Sequence, residues 1–198
     1  IALFPISAAL GVILVSIFSG ILAKGRNKKN ITIGLFISTI LLTPLPMILR
    51  LVDPYFSMQL LPSNGTDLLW WILLSHYVLE TCLGTLGFIF IISMAMEIVE
   101  DVQTKTGRRE EGLLGTANTL VQKLIGAGGV LIAGLIITYV GLDNPGSIDS
   151  MQEPIRNFAT MMIFITITLG LLATFALLFY NINRKKHMLN IDTLGYSD

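Results

Sequence analysis

Three groups of residues in this sequence could carry chemistry. Lys123 stands in Leu120-Val121-Gln122-Lys123-Leu124-Ile125-Gly126, eleven residues beyond Gly112 and inside an apolar run. A lysine near the middle of a bilayer costs about 2.5–3.5 kcal/mol on insertion scales, so such residues usually face a bundle interior and a partner. Thr119, four positions earlier, shares its helical face, and Asn118 and Gln122 stand nearby. This polar patch suits either a functional site or an ion pair between helices.

The second group is Glu97 and Glu100, spaced i, i+3, followed by Asp101 and then by the loop Lys105-Thr106-Gly107-Arg108-Arg109-Glu110-Glu111-Gly112. Gly107 permits a tight turn. Glu110 and Glu111 fall where a following helix would start, and carboxylates complement that end of the helix dipole. Arg108 and Arg109 offer forked donors to carboxylates. The stretch reads as a clamp on two helix ends, either a gate of opposite charges or a static cluster. It lacks the glycine pattern of a phosphate-cradling loop. The third group is His76 and Glu80, at i, i+4, a spacing that can hold a metal. No second His-bearing helix accompanies them, and neither H-E-x-x-H nor G-x-S-x-G occurs, so no metal site or enzyme is expected.

The elements that must position these residues follow from hydropathy. Charged residues make up 13% of the chain, about half the share of an ordinary soluble domain. They cluster between apolar runs, which marks a bilayer as the solvent. About 20 helical residues cross a hydrocarbon core of about 30 Å. Five runs qualify, at 1–23, 31–51, 67–98, 112–140 and 158–180, with a tail over 181–198. Each must be helical, because lipid offers no partner for a free backbone amide. The fold class is therefore all-α, a polytopic membrane helix bundle. Pro44 and Pro46 interrupt the second run. Gly126, Gly128, Gly129 and Gly134 in the fourth suit close helix packing.

Ten basic residues lie in the first loop, the third loop and the tail, and only Arg50 and Arg156 lie on the other side. By the positive-inside rule the first loop, third loop and C-terminus are cytoplasmic. The chain is then a multi-pass protein of the cell membrane. The net charge is zero, which gives no field for nucleic acid. The lone Cys82 forms no internal disulfide. Asn64-Gly65-Thr66 has the glycosylation pattern, a triplet common by chance. The sequence opens at Ile1 inside an apolar run, without a basic leader, which reads as the interior of a longer protein.

Ser93-Met94, Glu97, Glu100, Thr106-Gly107-Arg108-Arg109, Glu111-Gly112 and Gln122-Lys123 together resemble the glycoside–pentoside–hexuronide:cation symporters, the melibiose-carrier-like branch of the major facilitator superfamily. The motif resemblance covers Ser93 to Gly129. It implies a fold of twelve helices in two halves, with this chain as helices eight to twelve of a partial major-facilitator fold. It implies that Lys123 links sugar and cation sites, that Asn118 and Thr119 face the sugar path beside Gln122, and that Phe88 takes the place of a sugar-stacking aromatic residue. It further implies that Glu97 and Glu100, where the family usually has aspartate, act with Arg108 and Arg109 as a cytoplasmic gate. The coupling ion, sodium or a proton, would sit mainly in an N-terminal half not included in this sequence, and that half would be the chain's partner, with a small solute and the bilayer.

The expected function is therefore cation-coupled symport of a sugar or glycoside by alternating access. The alternatives are transport of a lipid, drug or organic anion, which an apolar surface around Phe88 would favour, and a receptor or scaffold on the same fold.

Overall fold

The computed structural model describes residues 3–56, 59–143 and 151–195. The chain is all helical there: α1 (Leu3–Ala23), α2 (Lys28–Leu42), α3 (Leu45–Val52), a 3₁₀ turn (Asp53–Tyr55), α4 (Asp67–Thr106), α5 (Glu111–Val140), α6 (Gln152–Leu178) and α7 (Arg184–Leu194). Five helical segments are long and apolar enough to cross a membrane, with α2 and α3 together forming the second. Part of the link between the fourth and fifth runs, the start of the first run and the end of the tail lie outside the described residues.

The helix ends are fixed by ordinary capping chemistry. Asn27, Thr66 and Asn183 accept backbone N–H groups at the starts of α2, α4 and α7. Thr66 Oγ1 also donates to Ser63 O at 2.8 Å, so the threonine of the Asn64 triplet already serves the local turn. Gly107, at φ 70°, closes α4 in a left-handed cap and provides the tight turn its position suggested.

α4 is the backbone of the bundle. Its 40 residues extend about 60 Å, twice the apolar thickness of a bilayer. α1 packs on one side, α2 on another, and α7 crosses one end. Gly87, Phe90, Met94, Glu97 and Asp101 are buried and recur every three to four residues, so two carboxylates continue the apolar stripe. α2 also packs against α6. Small residues allow close approaches: a Cβ added to Gly11 would stand 2.8 Å from Cys82 Sγ, and one added to Gly170 would collide with Ile40.

Two features differ from what the sequence suggests. Gly126, Gly128, Gly129 and Gly134 face open space, and the tight contacts fall in α1, α4 and α6 instead. The reason is that α5 packs sparsely, chiefly on α6 and slightly on α4, so most of its surface is exposed among the described residues. The stretch read as a tail contains α7. This short helix is too polar to show in hydropathy, and it docks through charge rather than apolar area.

Candidate functional site

The Gly107 end of the bundle holds a polar cluster built on α4. Glu97 is only 5% exposed. Its carboxylate lies 2.6 Å from Lys28 Nζ of α2 and accepts a short hydrogen bond from the Tyr180 hydroxyl. Lys28 also donates to Ser93 Oγ at 2.8 Å. Burial, and then the Glu97 carboxylate, hold the Tyr180 phenol above its ordinary value, so it stays a donor. His187 of α7 stands between two acids, with Nδ1 2.9 Å from Glu100 Oε2 and Nε2 4.0 Å from Glu97 Oε1. The closer approach is at ion-pair distance but is not aligned as a hydrogen bond.

One turn on, Asp101 pairs with Lys105 at 2.7 Å and Lys186 at 2.8 Å, and accepts from Asn190 at 3.3 Å. Lys29 donates to the carbonyls of Leu178 and Tyr180, capping the end of α6, and Arg184 donates to Gly25 O. Each acid on this α4 face therefore meets α2, α7 or the link between α6 and α7.

This arrangement changes the expected partnerships. Sequence reasoning paired Glu97 and Glu100 with Arg109. The structure gives Glu97 to Lys28 and Tyr180, brings Glu100 against His187, and sets Arg109 2.9 Å from Glu111 on the exposed turn. Thr106 bridges that turn by accepting from Arg108 N at 3.2 Å. The reason is geometric: Glu97 lies on the α4 stripe facing α2, whereas Arg108 and Arg109 follow the cap and project with the loop. Lys28, Tyr180, Lys186, His187 and Asn190 were missed because each stands far from its acid in sequence, and Lys28 read simply as a loop charge.

The Lys123 group lies on α5. Gly112, Gly115, Thr116, Thr119, Leu120 and Lys123 line an open groove at helical spacing. Thr119 and Lys123 thus share a surface, while Asn118, Gln122 and Gly112 are exposed on the same half of the helix. Asn118 and Gln122 lie outside the groove lining. Lys123 was expected to face a bundle interior; it is exposed and makes no ion pair among the described residues. Gly129, Ile132, Ala133, Ile136 and Ile137 of α5 line a cleft against α6, and the Lys123 half of α5 is exposed. Phe88, on α4, is 53% exposed and is not part of this groove.

No curated protein and no solved structure matches the chain. A family model described as MFS/sugar transport protein matches residues 1–184. It reaches from α1 to the start of α7 and includes both the acidic face of α4 and the Lys123 groove. With five apolar helices and a buried-charge cluster on one side of them, the chain belongs to the MFS/sugar transport family, whose members are multi-pass membrane transporters and not enzymes.

Proposed function

We propose that this chain is the C-terminal half of a cation-coupled symporter for a sugar or glycoside, corresponding to helices eight to twelve. The observation that carries this reading is the open α5 groove. Lys123 and Thr119 stand on a helix matched within a sugar-transport family, and among the described residues their side of that helix is exposed. Lipid does not accept an ammonium at that depth, so the surface calls for a polar occupant and a second wall. A solute between two halves supplies the first, and the N-terminal half supplies the second.

In this reading Lys123, Thr119 and Asn118 line the solute path, with Gln122 supporting them and Phe88 offering an apolar edge. Glu97, Glu100, Thr106, Gly107, Arg108, Arg109, Glu111 and Gly112 belong to the gate region, which the positive-inside rule places in the cytoplasm. The Lys28–Glu97–Tyr180 cluster holds this end of α4 as one body during rocking of the halves. Neutral sugars supply hydroxyls to lysine and threonine, and hexuronides add a carboxylate.

The test is uptake of labelled glycosides by vesicles holding the full-length protein, with and without a sodium or proton gradient. Gradient-driven accumulation supports the reading, and its absence for every sugar tried overturns it. A second reading, with apolar cargo, draws on the groove between α5 and α6 lined by Ile132, Ile136, Phe158, Met162 and Phe164. Gradient-driven uptake of a lipid analogue, with none for sugars, would favour it.

A further inference from the structure

Away from the ends of the five apolar runs, the acidic, basic and imidazole side chains are His76, Glu80 and Lys123. The first two meet at the break between α2 and α3. An α-helix would satisfy the Leu42 carbonyl with the N–H of residue 46, but that residue is proline and has none. His76 Nε2 stands 2.8 Å from Leu42 O. A carbonyl only accepts, so Nε2 carries the hydrogen and Nδ1 presents the lone pair of the neutral ring. That second nitrogen lies 3.9 Å from Glu80 Oε2. Glu80 Oε1 accepts from Thr43 Oγ1 at 2.8 Å, on the other side of the same break. Glu80 is about 15 Å from Trp70 along α4, half the thickness of the hydrocarbon core.

We propose that Glu80 and His76 form a proton-binding site in this chain, poised on the proline break. The deprotonated pair carries a net charge of −1, and two lone-pair atoms face each other across the gap. One proton from water, placed on Glu80 or on His76 Nδ1, creates a donor between them and brings the pair to net zero. The gap can then shorten to hydrogen-bond distance along α4, and because His76 holds Leu42 O and Glu80 holds Thr43 Oγ1, both contacts to the Leu42–Pro46 break move with it. The α2–α3 hinge therefore senses whether the proton is present. A metal cation fits the same atoms poorly, because the Leu42 carbonyl is already engaged by an N–H and the Thr43 hydroxyl points its hydrogen at Glu80. The neighbouring elements add no competing charge. α1 and α6 beyond Phe158 contain no acidic, basic or imidazole residue, and α2 has only Lys28 and Lys29 at its far end. On α3, Arg50 is engaged by Asp53 and the carbonyl of Pro62. Tyr77 packs on Phe4, and Cys82 stands beside Gly11 of α1. Lys123, on α5, makes no ion pair among the described residues.

The inference uses the transporter reading for its purpose but has its own measurement. Infrared difference spectra of the purified full-length protein between acid and alkaline buffer should contain a protonated-carboxyl band that is lost in Glu80→Gln. His76→Gln, whose amide can still donate to Leu42 O, should shift the band's frequency, because the group facing the carboxyl changes. Both substitutions preserve shape and a hydrogen-bonding group, and a retained thermal transition shows that each variant folds. A band unchanged in Glu80→Gln, or one that responds to sodium at fixed pH, overturns the proposal. In vesicles, Glu80→Gln should lose proton-driven accumulation of the solute but retain solute exchange. Failure of all solute transport in the parent protein would count against the symporter reading alone, since the infrared result does not depend on it.

Discussion

Glu97 and Lys123 show opposite solutions to placing charge beside apolar surface. Glu97 is buried and paired within the chain. Removing one partner of a buried ion pair leaves an uncompensated charge, which is strongly destabilising. Lys28→Met should therefore lower the stability of the full-length protein by about 3 kcal/mol, read as a fall in its thermal transition in detergent. Lys123→Ala removes no side-chain hydrogen bond or ion pair present among the described residues. Its thermal transition should stay within about 0.5 kcal/mol of the parent's. Gradient-driven uptake should nevertheless be lost, and unchanged uptake would make Lys123 a bystander. Tyr180 adds a pH dependence. The folded state holds the phenol proton more tightly than the unfolded chain, through burial and then Glu97. Its contribution is complete below the ordinary tyrosine value of 10.0 and erodes as pH climbs above it. In Tyr180→Phe the alkaline part of that stability profile should be flatter, as followed by thermal melts across pH.

The elements differ in how plainly the sequence announces them. The five apolar runs are legible because lipid enforces both their length and their helicity. The break at Pro44 and Pro46 is legible from the ring chemistry of proline. The group that answers it, His76, is not, since a carbonyl left open on one helix says nothing about which helix will satisfy it. α7 was read as part of a tail because Arg184–Leu194 has little apolar content, and its docking depends on acids about 90 residues away in α4. Sequence patterning placed Thr119 and Lys123 on one face correctly, because that needs only helical periodicity. It set Glu97 and Glu100 against Arg109, whereas Lys28, Tyr180 and His187 stand against them in this chain, because pairing needs the rotation of α4 about its axis. Helix contacts carry a prediction of their own. Gly170→Val would drive a branched side chain into Ile40, and the overpacking should cost roughly 1–3 kcal/mol in the full-length protein. A thermal transition equal to the parent's would mean that α2 and α6 can part at that level without loss.

At the scale of the whole molecule, the chain is strongly asymmetric. α4 gathers α1, α2 and α7 around itself, whereas α5 stands with most of its surface uncovered. An uncovered helix in a bilayer protein has two possible surroundings, lipid or a water-filled path beside another protein surface, and its residue types tell them apart. The Gly112–Lys123 half presents threonines, glycines and a lysine, which suit water and solute. The later half presents Leu131, Ile132 and Leu135, which suit lipid or an apolar partner. Single cysteines introduced at Thr116, Thr119 and Leu131 of the full-length protein, with Cys82→Ser as background, should separate the two. Those at Thr116 and Thr119 should react with a water-soluble maleimide, and transported solute should slow the reaction at Thr119. The one at Leu131 should remain unreactive unless the membrane is dissolved. If Thr116 and Thr119 prove as unreactive as Leu131, the polar stripe does not line a path, and Lys123 must find its partner on a helix outside this chain.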